Sequence, residues 1–220
     1  MSTAVALKQC LNRSTNCFYV LSATLADYLK EEIDAETEIA QQQFQRPPAI
    51  SGFKVKAEES EVSLEKSHGS ERIVVKFNVN HTVDMQASTG AEQQQQQQDD
   101  GAPMLSKPQF SVEICKGSQK LVFDCSFTQM MPEEQQIPDE DPYSYNIDEI
   151  YMYTGELSEK VYAVGGAILD GNMYDYFCGY LEERGIDQKF AEELVQFATH
   201  YEHAQFVALL HKIREFVLRE

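Results

Sequence analysis

The chain has 220 residues, 42% of them apolar, and sets 18 basic against 36 acidic side chains for a net charge of −18. That length supports one good-sized domain without metal or disulfide staples, while the charge repels nucleic-acid phosphates and anionic membrane and attracts basic proteins over the ~8 Å that physiological salt allows. Direct nucleic-acid binding is therefore disfavoured, and no run approaches the ~18 apolar residues that a membrane span requires.

Residues 1–24 hold Lys8 and Arg13 but no acid, and are rich in Ser, Thr, Asn and Ala. They fit either an import leader of the transit type or an unordered tail, and the leader reading is weakened by so few basic residues. From about Thr24, Leu25, Tyr28, Leu29, Ile33 and Ile39 recur at helical spacing among Asp27, Glu31, Glu32, Asp34, Glu36 and Glu38. Pro47-Pro48 closes that segment. After Gly52 the period switches to two. Phe53, Val55 and Ala57, then Val62 and Leu64, then Ile73, Val75, Phe77 and Val79 alternate with polar neighbours and predict three strands of an antiparallel meander.

A polar insert over 84–107, with the glutamine run Gln93–Gln98 and then Asp99 and Asp100, cannot bury enough apolar surface to order itself and is expected to be mobile. Strands resume at Phe110, Val112 and Ile114 and return through Leu121, Phe123, Cys125 and Phe127. Alternation places Cys115 and Cys125 on opposite faces, which argues against a disulfide between them. The five cysteines (Cys10, Cys17, Cys115, Cys125, Cys178) include no CxxC pair and suit a reducing compartment. A second insert over 130–144 carries Glu133, Glu134, Asp139, Glu140 and Asp141 with no basic residue. Tyr145–Thr154 and Lys160–Val164 complete seven strands, and strands in series bounded by helices predict an α+β fold.

The last fifty residues read as two helices. Leu169, Met173, Tyr176, Phe177 and Tyr180 form the stripe of the first, Gly185 ends it, and Asp187 caps the second. The second carries Phe190, Leu194, Phe197 and Tyr201, then Phe206, Leu209, Leu210, Ile213, Phe216 and Val217. An apolar surface this wide must be covered, by core contacts alone or also by a neighbouring subunit.

Searching for chemistry finds no nucleotide, hydrolase or metalloprotease motif and none of the zinc or EF-hand spacings. His200 and His203 lie three apart, but without the Glu-x-x-His pairs of a dinuclear bundle site they read as solvated or interface histidines. The acids sit in polar loops and on exposed helical faces rather than in a pocket that would raise a pKa. No catalytic residue, cofactor or metal is expected, and the chain is not read as an enzyme.

Several stretches carry a family likeness: Asp27-Tyr-Leu-Lys-Glu-Glu-Ile33, Val74-Val-Lys-Phe-Asn-Val-Asn80, Phe110-Ser-Val-Glu-Ile114, Leu121-Val-Phe-Asp-Cys125 and Tyr153-Thr-Gly-Glu156. The strongest is Tyr180-Leu-Glu-Glu-Arg-Gly-Ile-Asp187 with Phe190-Ala-Glu-Glu-Leu-Val195, Tyr201-Glu-His203 and Phe216-Val217. Together they resemble the complement component 1 Q subcomponent-binding protein, or mitochondrial acidic matrix protein, family over about Leu25 to Leu218. The resemblance implies a seven-stranded, twisted antiparallel sheet flanked by one N-terminal and two C-terminal helices in a ring-shaped homotrimer, with residues 25–220 as one domain. It also implies a multi-ligand adaptor or chaperone of the mitochondrial matrix, linked to ribosome function, translation and respiration. Cytosolic, nuclear or cell-surface pools, splicing factors and complement C1q belong to the same expectation. The weakly basic leader and the glutamine run depart from the family pattern.

On this reading the partners are basic proteins, such as ribosomal or Arg/Ser-rich factors, held by many weak charge contacts. The candidate partner-binding acids are Asp99, Asp100, Glu133, Glu134, Asp139, Glu140 and Asp141. The candidate oligomer interface is Leu25, Leu29, Ile33, Phe206, Leu209, Ile213 and Phe216. The competing reading is a structural oligomer whose acidity serves only solubility.

Overall fold

A computed structural model describes residues 24–41, 48–82, 105–128 and 145–219. Most of the two inserts, the glutamine run and the N-terminal leader lie outside the described residues. Among the described residues seven strands form one sheet in sequence order: β1 (Lys54–Glu58), β2 (Glu61–His68), β3 (Glu71–Asn78), β4 (Phe110–Lys116), β5 (Gln119–Phe127), β6 (Tyr145–Thr154) and β7 (Ala163–Gly165). Every neighbouring pair is antiparallel. The expected meander is therefore the observed one, with strands consecutive in sequence lying side by side in the sheet.

The described chain divides into two compact units. One lies within Pro47–Glu202 and holds the sheet. Its core face carries Leu64, Ile73, Val75, Val112, Ile114 and Phe123, all essentially without solvent contact. Against them pack α2 (Gly171–Glu182), the first half of α3 (Gln188–Leu218) and the joint between them, through Leu181, Ile186, Phe190, Ala191, Leu194, Val195 and Ala198. Burying one such side chain contributes about 1.5–3 kcal/mol, so this layer supplies most of the driving force for the unit. Cys125 belongs to that core and Cys115 does not, as alternation requires; both are free thiols.

The α2–α3 joint follows its sequence signals closely. The Ile186 N–H donates to the Leu181 carbonyl and the Gly185 N–H to that of Glu182, a Schellman pair, with Gly185 at φ 70°. Asp187 Oδ1 then accepts the Phe190 N–H at 2.8 Å and opens α3. Next to this joint, Arg184 forks onto Glu71 (Nε–Oε2 2.7 Å, Nη2–Oε1 3.1 Å), and Lys116 Nζ reaches Glu71 Oε1 at 2.8 Å. The guanidinium also donates to the Tyr180 carbonyl and stacks 3.3 Å over that ring. Hydrogen bonds from Arg184 and Lys116 hold the Glu71 carboxyl down to about 2. This buried knot ties the end of α2 to the ends of β3 and β4.

Three sequence expectations are corrected. The α2 stripe is rotated in part: Leu169, Phe177 and Tyr180 pack against the core as expected, but Met173 and Tyr176 are exposed, and Tyr174, Cys178 and Leu181 take their place. A short helix apolar on two sides fits either stripe, and only the sheet decides between them. The seventh strand begins at Ala163 rather than Lys160, because the Val161 N–H turns back to the Ser158 carbonyl and β6 offers pairing only at Glu149–Tyr151. Gly166 follows directly, in a position where a Cβ would overlap the Ile147 carbonyl oxygen. Lastly, the expected mobile insert 84–107 is ordered at its end. The Lys107 N–H donates to the Thr82 carbonyl, Ser106 pairs with the Thr82 hydroxyl, and the buried Ser106 N–H donates to Thr199 Oγ1.

The second unit combines α1, residues 24–41, with His203 onward. The two helical segments run antiparallel: Arg214 Nε donates to the Ala26 carbonyl at 3.1 Å, and His203 Nε2 meets Glu36 Oε2 at 2.8 Å. Ala26, Leu29 and Ile33 form the buried stripe of α1.

Candidate partner-binding face

The sequence-predicted acids Asp99, Asp100, Glu133, Glu134, Asp139, Glu140 and Asp141 lie outside the described residues. Of the predicted interface set, Leu29 and Ile33 are already buried within the single chain. Leu25, Phe206, Leu209, Ile213 and Phe216 remain exposed, Phe216 at 78%. The structure thus separates a stripe that closes the second unit from a stripe that the described residues leave exposed.

The polar chemistry that is described concentrates on the sheet face opposite the core. Cross-strand register places Lys76 beside Ser111, Glu113 beside Val122, and Asp124 directly opposite Glu149. Toward its middle the face is internally neutralised: Lys76 Nζ lies 2.7 Å from Glu113 Oε1, and Lys120 Nζ lies 3.9 Å from Glu113 Oε2. Lys120 also reaches the Tyr153 hydroxyl at 3.2 Å and sits 5.1 Å over that ring. Tyr151 stacks beside Tyr153, with ring centres 6.4 Å apart and planes 20° from parallel.

Toward β7 the balance changes. The β5–β6 register steps between Asp124 and Cys125, so that Asp148 is an extra residue in β6. A bulge of this kind re-aims side chains. Ile147 and Ile150 both turn to the core, while Asp148 and Glu149 are both exposed. Asp148 accepts from Ser126 Oγ at 2.9 Å. The bulge is held from the other side by Tyr174, whose hydroxyl accepts the Ile147 N–H at 2.9 Å. Partial burial raises the Asp124 carboxyl; a Tyr151 hydrogen bond opposes this, and the neighbouring Glu149, Asp148 and Glu113 add to it. Burial and Asp124 together push the Tyr151 hydroxyl up to about 12. Among the described residues, no salt bridge involves Asp124, Asp148, Glu149 or Glu159.

Two grooves share the Asp124 and Glu149 walls. One, of about 620 Å³, runs toward Lys76 and Ser126; the other, of about 360 Å³, runs toward Leu157, Glu159, Val161 and Ala163. Sequence reasoning did not single out these acids. Alternation along β5 puts Asp124 opposite the core, but consecutive acids at Asp148-Glu149 break the period of two, and a bulge is legible only once the strands are paired. Among the described residues no group of three or more His, Cys, Asp or Glu is arranged to hold a metal ion. His203 pairs with Glu36 instead. Burial raises the Cys125 thiol far above its ordinary value, which suits an inert core residue.

Acids and rings on a broad open sheet face, with helices closing the other side, are the frame of a binding module. The fold is also that of two solved structures, each with 19% identity and a TM-score of 0.61. One is a Leishmania major protein described as a sequence homologue of human p32, matched over 89% of this chain and 98% of its own. The other is the Trypanosoma brucei p22 protein, matched over 90% and 99%. The family profile described as MAM33, mitochondrial glycoprotein, matches residues 29–217, and the chain belongs to that family. A Caenorhabditis elegans relative, conserved regulator of innate immunity protein 3, is 40% identical over 90% of this chain and 85% of its own length. The Bos taurus complement component 1 Q subcomponent-binding protein, mitochondrial, is 32% identical over 87% of this chain and 70% of its own. These assignments agree with the resemblance read from the residues.

Proposed function

We propose that this chain is an acidic multi-ligand adaptor of the mitochondrial matrix that captures basic proteins and serves translation and respiratory function. The observation that carries the reading is the concentration of carboxylates on the β5–β7 side of the open sheet face that form no salt bridge among the described residues, within a chain of net charge −18. Family membership supports a mitochondrial setting and a binding role, since the mammalian relatives are named for both. Exposed ion pairs contribute under about 1 kcal/mol each, so affinity on such a face comes from many contacts made together. A surface of this sign competes with phosphate for arginine and lysine and keeps a basic ribosomal or Arg/Ser-rich protein from binding RNA prematurely. Binding of complement C1q and of splicing factors belongs to the same chemistry, as does residence in cytosolic, nuclear or cell-surface pools.

The working form in this proposal is a homotrimer. Phe206, Leu209, Ile213 and Phe216 on α3, with Leu25 on α1, supply apolar surface for it, and Leu29 and Ile33 support the same helix from its inner side. The test is pull-down from isolated mitochondria at low and moderate salt, with partners identified by mass. Basic partners retained at low salt and released at moderate salt support the proposal. Capture that is insensitive to salt, or no capture of basic proteins, refutes it and leaves a structural oligomer whose acidity serves solubility.

A further inference from the structure

The smaller groove beside β7 has a composition more specific than general acidity. Its walls are Asp124 and Glu149, facing each other across β5 and β6, with Glu159 from the β6–β7 connection. Tyr151 stands beside the two strand acids, and Leu157, Val161 and Ala163 give it an apolar side. Leu157 is 58% exposed. A volume of about 360 Å³ is at the small end for ligand sites and suits one long side chain rather than a cofactor.

The same sheet face supplies an internal precedent one step away. There Lys120 sits over the Tyr153 ring, bonds its hydroxyl and faces Glu113. Tyr151 with Asp124, Glu149 and Glu159 repeats that arrangement of ring and carboxylates, stacked directly against the first, but holds no lysine or arginine from among the described residues. Two carboxylates opposite each other accept a planar fork better than a point charge, and a guanidinium is less hydrated than an ammonium and stacks on aromatic faces. An apolar wall suits the methylene stem of the same side chain.

We propose that this groove is a dedicated subsite for one arginine side chain of a basic partner segment, with the guanidinium between Asp124 and Glu149 against Tyr151 and the stem along Leu157 and Val161. The inference rests on the reading of the chain as a binder of basic proteins and adds to it a preference for arginine over lysine at one place.

The test uses the full chain and two fluorescent peptides of equal length and charge, one arginine-rich and one with every arginine replaced by lysine. Three proteins are titrated: the natural chain, Glu149→Gln/Glu159→Gln in the groove, and Glu58→Gln/Glu61→Gln at the opposite edge of the same face. All four positions are exposed, so folding is expected to survive, and circular dichroism checks it. The expected result is a roughly tenfold preference for the arginine peptide in the natural chain and the β1–β2 variant, falling to within about twofold in the groove variant. Salt-sensitive binding with no arginine preference, or a preference that survives the groove substitutions, overturns the subsite and leaves acidic capture standing. Failure of both peptides to bind the natural chain overturns the reading of the chain as a binder of basic proteins, and the subsite with it.

Discussion

Replacing Glu71 with Gln keeps the shape of the side chain and removes the only charge that Arg184 and Lys116 share among the described residues. Arg184 is 8% exposed at its side chain and Glu71 9%, so the amide leaves a buried guanidinium whose remaining charged partner among the described residues is the solvent-exposed Glu183, 3.6 Å away. Holding the carboxyl at about 2 instead of its ordinary 4.5 corresponds, at 1.36 kcal/mol per tenfold in acidity, to roughly 3 kcal/mol of native-state stability. The Lys116 arm is 57% exposed and screened by solvent, which brings the expected loss to about 2–3 kcal/mol. For a chain of this size that is a fall in Tm of about 5–10 °C.

The pH dependence has a definite sign. A depressed native carboxyl stabilises fully above the unfolded value near 4.5, and its contribution drains away as pH falls toward about 2. Urea unfolding of both proteins at fixed chain concentration, from pH 7 down to pH 3, should therefore show a gap that is constant to about pH 5 and then narrows. Arg184→Lys, which keeps the charge but loses the fork, should fall between the two. A gap under about 0.5 kcal/mol at pH 7, or one that does not narrow between pH 5 and 3, would refute the assignment of this pair as a stabilising tie.

Two further outcomes follow from the fold and the proposed assembly. Gly166→Ala should cost about 1–3 kcal/mol in thermal or urea unfolding, since its Cβ meets the Ile147 carbonyl, whereas Gly171→Ala meets nothing within 4 Å and should be neutral or mildly stabilising; equal effects would mean that the chain relaxes freely around Ile147. Leu209→Asp or Phe216→Asp alters side chains that are 51% and 78% exposed in one chain, so light scattering should find a folded monomer in place of the proposed trimer. A variant that stays trimeric would place the interface elsewhere, the exposed Met173 and Tyr176 face of α2 being the first alternative.

What the sequence by itself determined is whatever local chemistry controls. Alternation marked the strands from β1 to β5 and their faces, so Cys115 and Cys125 were correctly assigned to opposite sides. The α2–α3 joint was legible at Gly185 and Asp187 because a positive φ and an N-cap are requirements of the backbone within a few residues. Only the tertiary structure decided which stripe of α2 faces inward, since Met173 and Tyr176 are as apolar as the residues that won and a helix cannot see the sheet it will cover. It also decided the Glu71–Arg184 tie, whose members are 113 residues apart. The bulge at Asp148 belongs to the same class. Where an extra residue enters a strand depends on the register of its neighbour, and that register brings Asp124, Glu149 and Tyr151 into one groove.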